Sequence, residues 1–169
     1  MSSESITICL TNPKSPTNVG GVLRAAGCFG ASNILYTGNR YNIAKKHSTD
    51  TQNVAEYLNL QHVSCFLEHK PKDIPLICVD LVEGAVPLPD FEHPEQAYYV
   101  FGPEDGSLRQ EVIDQADHVV YMPTKGSLNL AASVNVLLYD RTSKNNSIDK
   151  SNELIRKSRD VNNRLKIRP

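Results

Sequence analysis

The stretch Val119–Asp140, VVYMPTKGSLNLAASVNVLLYD, runs from an apolar strand through a short Lys-Gly loop into Ser127-Leu128-Asn129, and then directly into an apolar helix. A strand-to-helix junction of this kind places unpaired backbone donors and small polar side chains together, which suits it to grip a ligand. The rest of the chain repeats the alternation. Ile6–Leu10 reads as a buried strand and Asn12-Pro-Lys-Ser-Pro16 as a loop, since its prolines oppose both helix and central strand. Asn18 to about Cys28 has helical spacing, with Val19, Val22, Leu23 and Ala26 on one face, closed by Gly27 and Gly30. Asn33–Thr37 then gives a second strand.

Further along, Gly38–Asp50 is polar and reads as a surface loop, Thr51–Leu58 as weakly helical, and His62–Phe66 as a short strand. Pro75–Leu81 and Ala97–Phe101 read as buried strands, separated by a loop marked by Pro87, Pro89 and Pro94. Ser107–Ala116 is helix-like with Ser107 as N-cap. His118–Met122 is the last strand, and a basic helix is expected over about 149–165, with Glu153 and Lys157 paired at i,i+4 and Leu154, Ile155, Val161 and Leu165 available for packing. Strands alternating with helices predict an α/β fold around a mainly parallel sheet with helices on both faces. Ligands of such sheets bind beyond the carboxyl ends of the strands, the edge on which Gly102 and Pro123 fall.

The 169 residues, 40% of them hydrophobic, fit one domain spanning the whole chain. No apolar run approaches the roughly 20 residues that span a bilayer, and the polar Met1–Ser5 is unlike a signal peptide, so a cytoplasmic protein is expected. Asn145-Asn146-Ser147 matches a glycosylation sequon, which in that setting is a polar loop. Cys9, Cys28, Cys65 and Cys78 lack C-x-x-C spacing and read as free buried thiols, and the five histidines form no ligand pair, so no metal site is expected. The net charge of −1 hides an asymmetry. From position 141 onward nine Lys/Arg stand against three Asp/Glu, a net of +6, while the preceding 140 residues carry nine against sixteen, a net of −7. A basic tail of this kind can meet a polyanion.

Two common mechanisms are absent. Gly20, Gly21, Gly27 and Gly30 make neither a G-x-G-x-x-G fingerprint nor a phosphate loop. Neither Ser107 nor Ser127 lies in a G-x-S-x-G elbow, which argues against a serine hydrolase.

Three segments taken together, Asn18-x-Gly20-x-x-x-Arg24, Phe101-Gly102-Pro103-Glu104 and Pro123 followed by Ser127-Leu128-Asn129, resemble the motifs of the SPOUT superfamily of RNA methyltransferases, specifically its TrmH-like (SpoU) ribose 2′-O-methyltransferases. The resemblance covers nearly the whole chain. It implies a parallel sheet whose C-terminal third is tied into a deep trefoil knot, S-adenosylmethionine as cofactor with S-adenosylhomocysteine as product, RNA as substrate with tRNA favoured over rRNA, and a homodimer. It further implies Arg24 as the catalytic residue, with Asn18, Glu104, Ser127 and Asn129 ordering the loops and the ribose, and Leu81, Gly102, Met122, Ser127 and Leu128 as cofactor contacts made largely through backbone. A guanidinium is essentially always protonated, so the chemistry of Arg24 itself points to clamping an RNA phosphate, to which the resemblance adds removal of the 2′-hydroxyl proton. Asn129, an amide in an otherwise apolar helix start, is expected to be buried and to need a partner. The alternative from another class is a non-catalytic RNA-binding protein that retains the fold.

Overall fold

The computed structural model describes residues 5–46, 59–146 and 148–168. Seven strands are formed by β1 (Ile6–Leu10), β2 (Asn33–Tyr36), β3 (Asn59–His62), β4 (Leu76–Val79), β5 (Val86–Pro87), β6 (Ala97–Phe101) and β7 (His118–Tyr121). They make one sheet in the order β3-β2-β1-β6-β4-β7-β5, and every neighbouring pair is parallel. The central strands β1, β4 and β6 are buried along their whole length, as expected where both faces of a parallel sheet are covered.

Alternation along the strands sends successive side chains to opposite faces. Ile8, Ile77, Tyr99 and Phe101 face α1 (Pro16–Phe29) and α5 (Leu130–Lys144). Cys9, Cys78, Tyr98 and Val100 face α3 (Phe66–His69) and α4 (Gln110–Ile113) on the other side. The expected α/β arrangement with helices on both faces is therefore present.

Local chemistry accounts for α1. Ser15 caps it, accepting from the Asn18 amide at 3.3 Å, and Pro16 occupies its first turn, where the missing N–H costs nothing. Its buried face includes the expected Val19, Val22, Leu23 and Ala26. Gly21 lets α1 lie close against α5, because a Cβ there would stand 2.8 Å from the Ala131 Cβ.

Several local readings differ from the structure. The 38–50 segment, expected to be a loop, contains α2 (Arg40–Lys45). Strand β3 lies at 59–62, a few residues before the position expected. It is a largely exposed edge strand, NLQH, whose polar residues carry no apolar alternation, and Phe66 opens α3 instead. Helix α4 is a single turn capped at Arg109, because the Leu108 amide is taken by Asp80 and Ser107 accepts no capping bond. A two-residue strand, β5, occupies the proline-marked loop, at the sheet edge where proline is tolerated. The C-terminal helix α6 spans only Asn152–Ser158 and buries no residue. Leu154, Ile155, Val161 and Leu165 remain 41–83% exposed. The Glu153–Lys157 pair does form, at 2.8 Å. The expected helix at 51–58 lies outside the described residues.

All four cysteines are free. Cys28 is exposed rather than buried, and Cys65 is half-buried. Burial pushes the Cys78 thiol up to about 12 and raises Cys9 as well, so both favour the unreactive protonated form. Among the described residues no helix is long and apolar enough to cross a membrane, and no three His, Cys, Asp or Glu side chains are grouped to hold a metal.

Candidate active site

A cavity of about 310 Å³ opens beyond the carboxyl ends of β4, β6 and β7. Its walls come from the turns that leave those strands: Asp80 and Leu81 after β4, Gly102 to Glu104 after β6, and Tyr121 and Met122 at the end of β7. The floor is the 124–129 loop with the first turn of α5, where Leu130 and Ser133 also face the space. Parallel strands bring these turns to one edge, although they are separated by about 20 residues each in the chain.

The first and second motif segments are bonded to each other at the rim. The Glu104 carboxylate accepts from the backbone amides of Lys14 and Ser15 and from the Asn18 side-chain amide. One carboxylate thus ties the turn after β6 to the start of α1. Arg40 reinforces the junction from α2: its guanidinium donates to the Asn12 carbonyl and to Asp105 at 2.7 Å, and holds the Asp105 carboxyl below its ordinary range. Asn12 takes a left-handed φ of 42° there, and Gly38 is packed directly against its side chain.

Eight of the nine candidate site residues, Asn18, Leu81, Gly102, Glu104, Met122, Ser127, Leu128 and Asn129, line this cavity, as do Phe101 and Pro103 of the second motif. Arg24 does not. It lies six residues after Asn18, about 9 Å along α1 at the usual helical rise, on the exposed face of that helix, and has no hydrogen-bond or ion-pair partner among the described residues. Asn129 is exposed rather than buried. Its side chain caps α5, accepting from the Ala132 amide at 2.8 Å, so the partner it requires is local backbone. The N-terminal turn of a 15-residue helix thus borders the cavity through Asn129, Leu130 and Ser133, which places the positive end of the helix dipole there.

Asp80 is a site residue that the motifs did not indicate. Its carboxylate accepts from the Leu81 amide at 2.8 Å and from the Leu108 amide at 2.7 Å, bracing the turn after β4 against the loop after β6. A Cβ on Gly102 would stand 2.9 Å from this carboxylate, so the close approach requires glycine. The available signal was a single acid directly following the buried run Leu76–Val79, at the edge where ligands gather. Two apolar side chains at the rim have little to cover them: Leu81 is 79% exposed and Leu128 39%. Exposed apolar surface beside convergent polar groups marks a binding site.

Comparison with known proteins identifies the family and the fold. Residues 5–139 match the SpoU rRNA Methylase family, and the chain belongs to that family. The tRNA (guanosine(18)-2′-O)-methyltransferase of Escherichia coli K12 is 20% identical over 141 residues, which cover 80% of this chain and 62% of that protein. The tRNA (cytidine-2′-O-)-methyltransferase of Methanocaldococcus jannaschii is 28% identical over 152 residues, covering 80% and 66%. The chain thus spans about two thirds or less of these relatives. A structure described as giving insight into 2-OH methylation of C/U34 on tRNA superposes with a TM-score of 0.73 at 25% identity, over 86% of this chain and 94% of that one. The SpoU methyltransferase AviRb of Streptomyces viridochromogenes, solved with AdoMet, superposes with a TM-score of 0.67 at 19% identity, over 88% and 63%, and shares the fold.

Proposed function

We propose that the chain transfers a methyl group from S-adenosylmethionine to a ribose 2′-hydroxyl of RNA, with tRNA as the substrate class. The observation that carries this reading is the meeting of three separated segments at one cavity, with Asn18 bonded to Glu104 at its rim and 127–129 forming its floor. Relatives named as tRNA 2′-O-methyltransferases support both the reaction and the substrate class.

The residues present fit the cofactor. The volume of about 310 Å³ is at the lower end of small-molecule sites. Leu81 and Leu128 offer apolar surface for a purine to cover, and Asp80 and Glu104 place carboxylates in the wall, favourable to a cationic ligand. Leu81, Gly102, Met122, Ser127 and Leu128 would hold it. When bound, it supplies a methyl group on a sulfonium, open to in-line displacement by an oxygen.

The chain's own residues then contribute position and electrostatics, which can supply a large part of such an acceleration. Glu104 and Asn18 fix the entrance, while Ser127 and Asn129 face the space in which the ribose must lie. Arg24, outside the cavity of its own chain, serves as a phosphate clamp that sets the register of the RNA, since bidentate guanidinium contact with phosphate carries direction as well as charge.

Two further features complete the reading. The chain forms a deep trefoil knot, supported by its path: β6 lies on one side of β4 and β7 on the other, so the backbone crosses β4 twice before α5 returns to α1. It also pairs as a homodimer through the α1–α5 layer, where Val136 and Tyr139 are 43% and 60% exposed beside Phe29. Calorimetric titration with S-adenosylmethionine and S-adenosylhomocysteine tests the cofactor assignment. Saturable binding of one molecule per chain is expected, and an absence of heat up to millimolar ligand would remove the basis for the reaction.

A further inference from the structure

Beyond α5 the chain changes character. The family match ends at 139, within α5, so the residues after that helix lie outside the matched stretch. From position 149 onward seven Lys/Arg stand against three Asp/Glu, with no aromatic residue. Helix α6 buries nothing, and the 159–168 stretch that follows it is largely exposed. Arg156, Lys166 and Arg168 have no partner among the described residues, whereas Lys157 is held by Glu153. By contrast, the 148 residues before the arm carry eleven Lys/Arg against sixteen Asp/Glu, a net of −5. An acidic body repels a polyanion, and its self-energy against RNA must be offset somewhere on the chain.

We infer that this C-terminal arm, residues 149–168, is a phosphate-gripping strap that holds RNA away from the reacting nucleotide. The inference rests on the RNA-methylating reading given above. Without aromatic side chains the arm has no platform for stacking bases, so its contacts are to phosphate and are independent of sequence. Its place in the fold determines what it does. Helix α5 starts at the cavity floor and runs 15 residues before the arm begins, about 22 Å at the usual helical rise. Contacts made that far from the methyl acceptor are the same before and during transfer, so they strengthen RNA binding without changing the chemical step. The apolar Val161, Leu165 and Ile167 are also exposed in the arm, and a protein surface is the competing occupant.

The triple variant R156A/K166A/R168A separates these outcomes, because none of the three residues belongs to the cavity or packs in the core. Binding of a fluorescein-labelled tRNA transcript is measured from 50 to 300 mM salt, a range of about sixfold that resolves the change in slope expected from counterion release. The logarithmic salt slope is expected to fall by about 2 to 3, one unit or slightly less per lost phosphate contact. With total tRNA from cells lacking this chain, KM is expected to rise about tenfold while kcat and S-adenosylmethionine affinity hold. An unchanged slope and KM would overturn the proposal, and a simultaneous change in sedimentation would assign the arm to a protein surface instead. If the parent protein binds RNA with a slope that the variant loses, yet transfers no methyl group, the strap stands and the methyltransferase reading fails.

Discussion

Replacing Arg24 with alanine is expected to lower methyl transfer to RNA by at least about 100-fold, the loss that follows when a reacting group is no longer held in register. S-adenosylhomocysteine affinity should stay within about twofold of the parent, since Arg24 lies outside the cavity and its side chain is bonded to no described residue that lines it. Stability should be nearly unaffected as well, because an exposed helical position tolerates alanine. Lysine at the same position keeps the charge but not the planar fork, so Arg24→Lys should recover only part of the activity. Parent-level activity in Arg24→Ala would show that the clamp is elsewhere.

Substitution of Arg141 by methionine is expected to destabilise the fold by about 3 kcal/mol and to lower Tm by about 6–12 °C. Arg141 is only 1% exposed. Its guanidinium donates to the carbonyls of Pro94 and Glu95 and to the Tyr99 hydroxyl, and it has no carboxylate partner among the described residues. Methionine fills much of the volume and removes the buried charge, but it leaves those carbonyls without a donor, and each orphaned buried acceptor costs about 1–3 kcal/mol. The surrounding groups deepen the dependence. His93 bonds to Tyr99 at 2.6 Å and to Asp140 at 2.8 Å, and burial lowers its pKa despite the opposing pull of Asp140. Lys144 reaches Asp140 and the carbonyls of Leu88 and Phe91. This network fastens the 88–95 segment along α5, the helix whose first turn forms the cavity floor. A Tm within about 2 °C of the parent would mean that water or neighbouring donors take over the carbonyls.

The parts of the fold that were legible in the sequence are those where local pattern and tertiary environment agree. The runs that become β1, β4 and β6 are apolar at nearly every position, Thr7 excepted, because both of their faces are buried, and α1 shows its buried face as Val19, Val22, Leu23 and Ala26. Helix α2 was hidden in polar sequence because its place is set by distant partners: Arg40 is fixed by Asn12 and Asp105, not by an apolar stripe. The single turn of α4 was overestimated because Asp80, 28 residues upstream, takes the Leu108 amide. The edge strand β3 has no buried face to generate alternation.

The site was legible to a similar degree and for similar reasons. Backbone-rich turns such as 101–104 and 123–129 carry recognisable spacings, so most of the cavity lining is legible in the sequence. Asp80 was not, since a single carboxylate has no motif and becomes meaningful only when Gly102 and Leu108 are seen against it. The apolar neighbours of Asn129 predict a buried environment, whereas the chain turns there and the amide caps α5. The position of Arg24 relative to the cavity depends on where α1 sits against α5, a packing relation set in part by Gly21 and Ala131 that no local spacing reports.

The central claim is chemical, and nucleoside mass spectrometry tests it most directly. Purified protein is incubated with methyl-deuterated S-adenosylmethionine and total tRNA from cells lacking the chain, and the RNA is then digested to nucleosides. The account predicts a deuterated methyl group on a ribose oxygen, resistant to alkaline cleavage at that linkage and absent when Arg24→Ala replaces the parent. Label found only on a base, or no label in any RNA fraction from a protein that binds the cofactor, would contradict it.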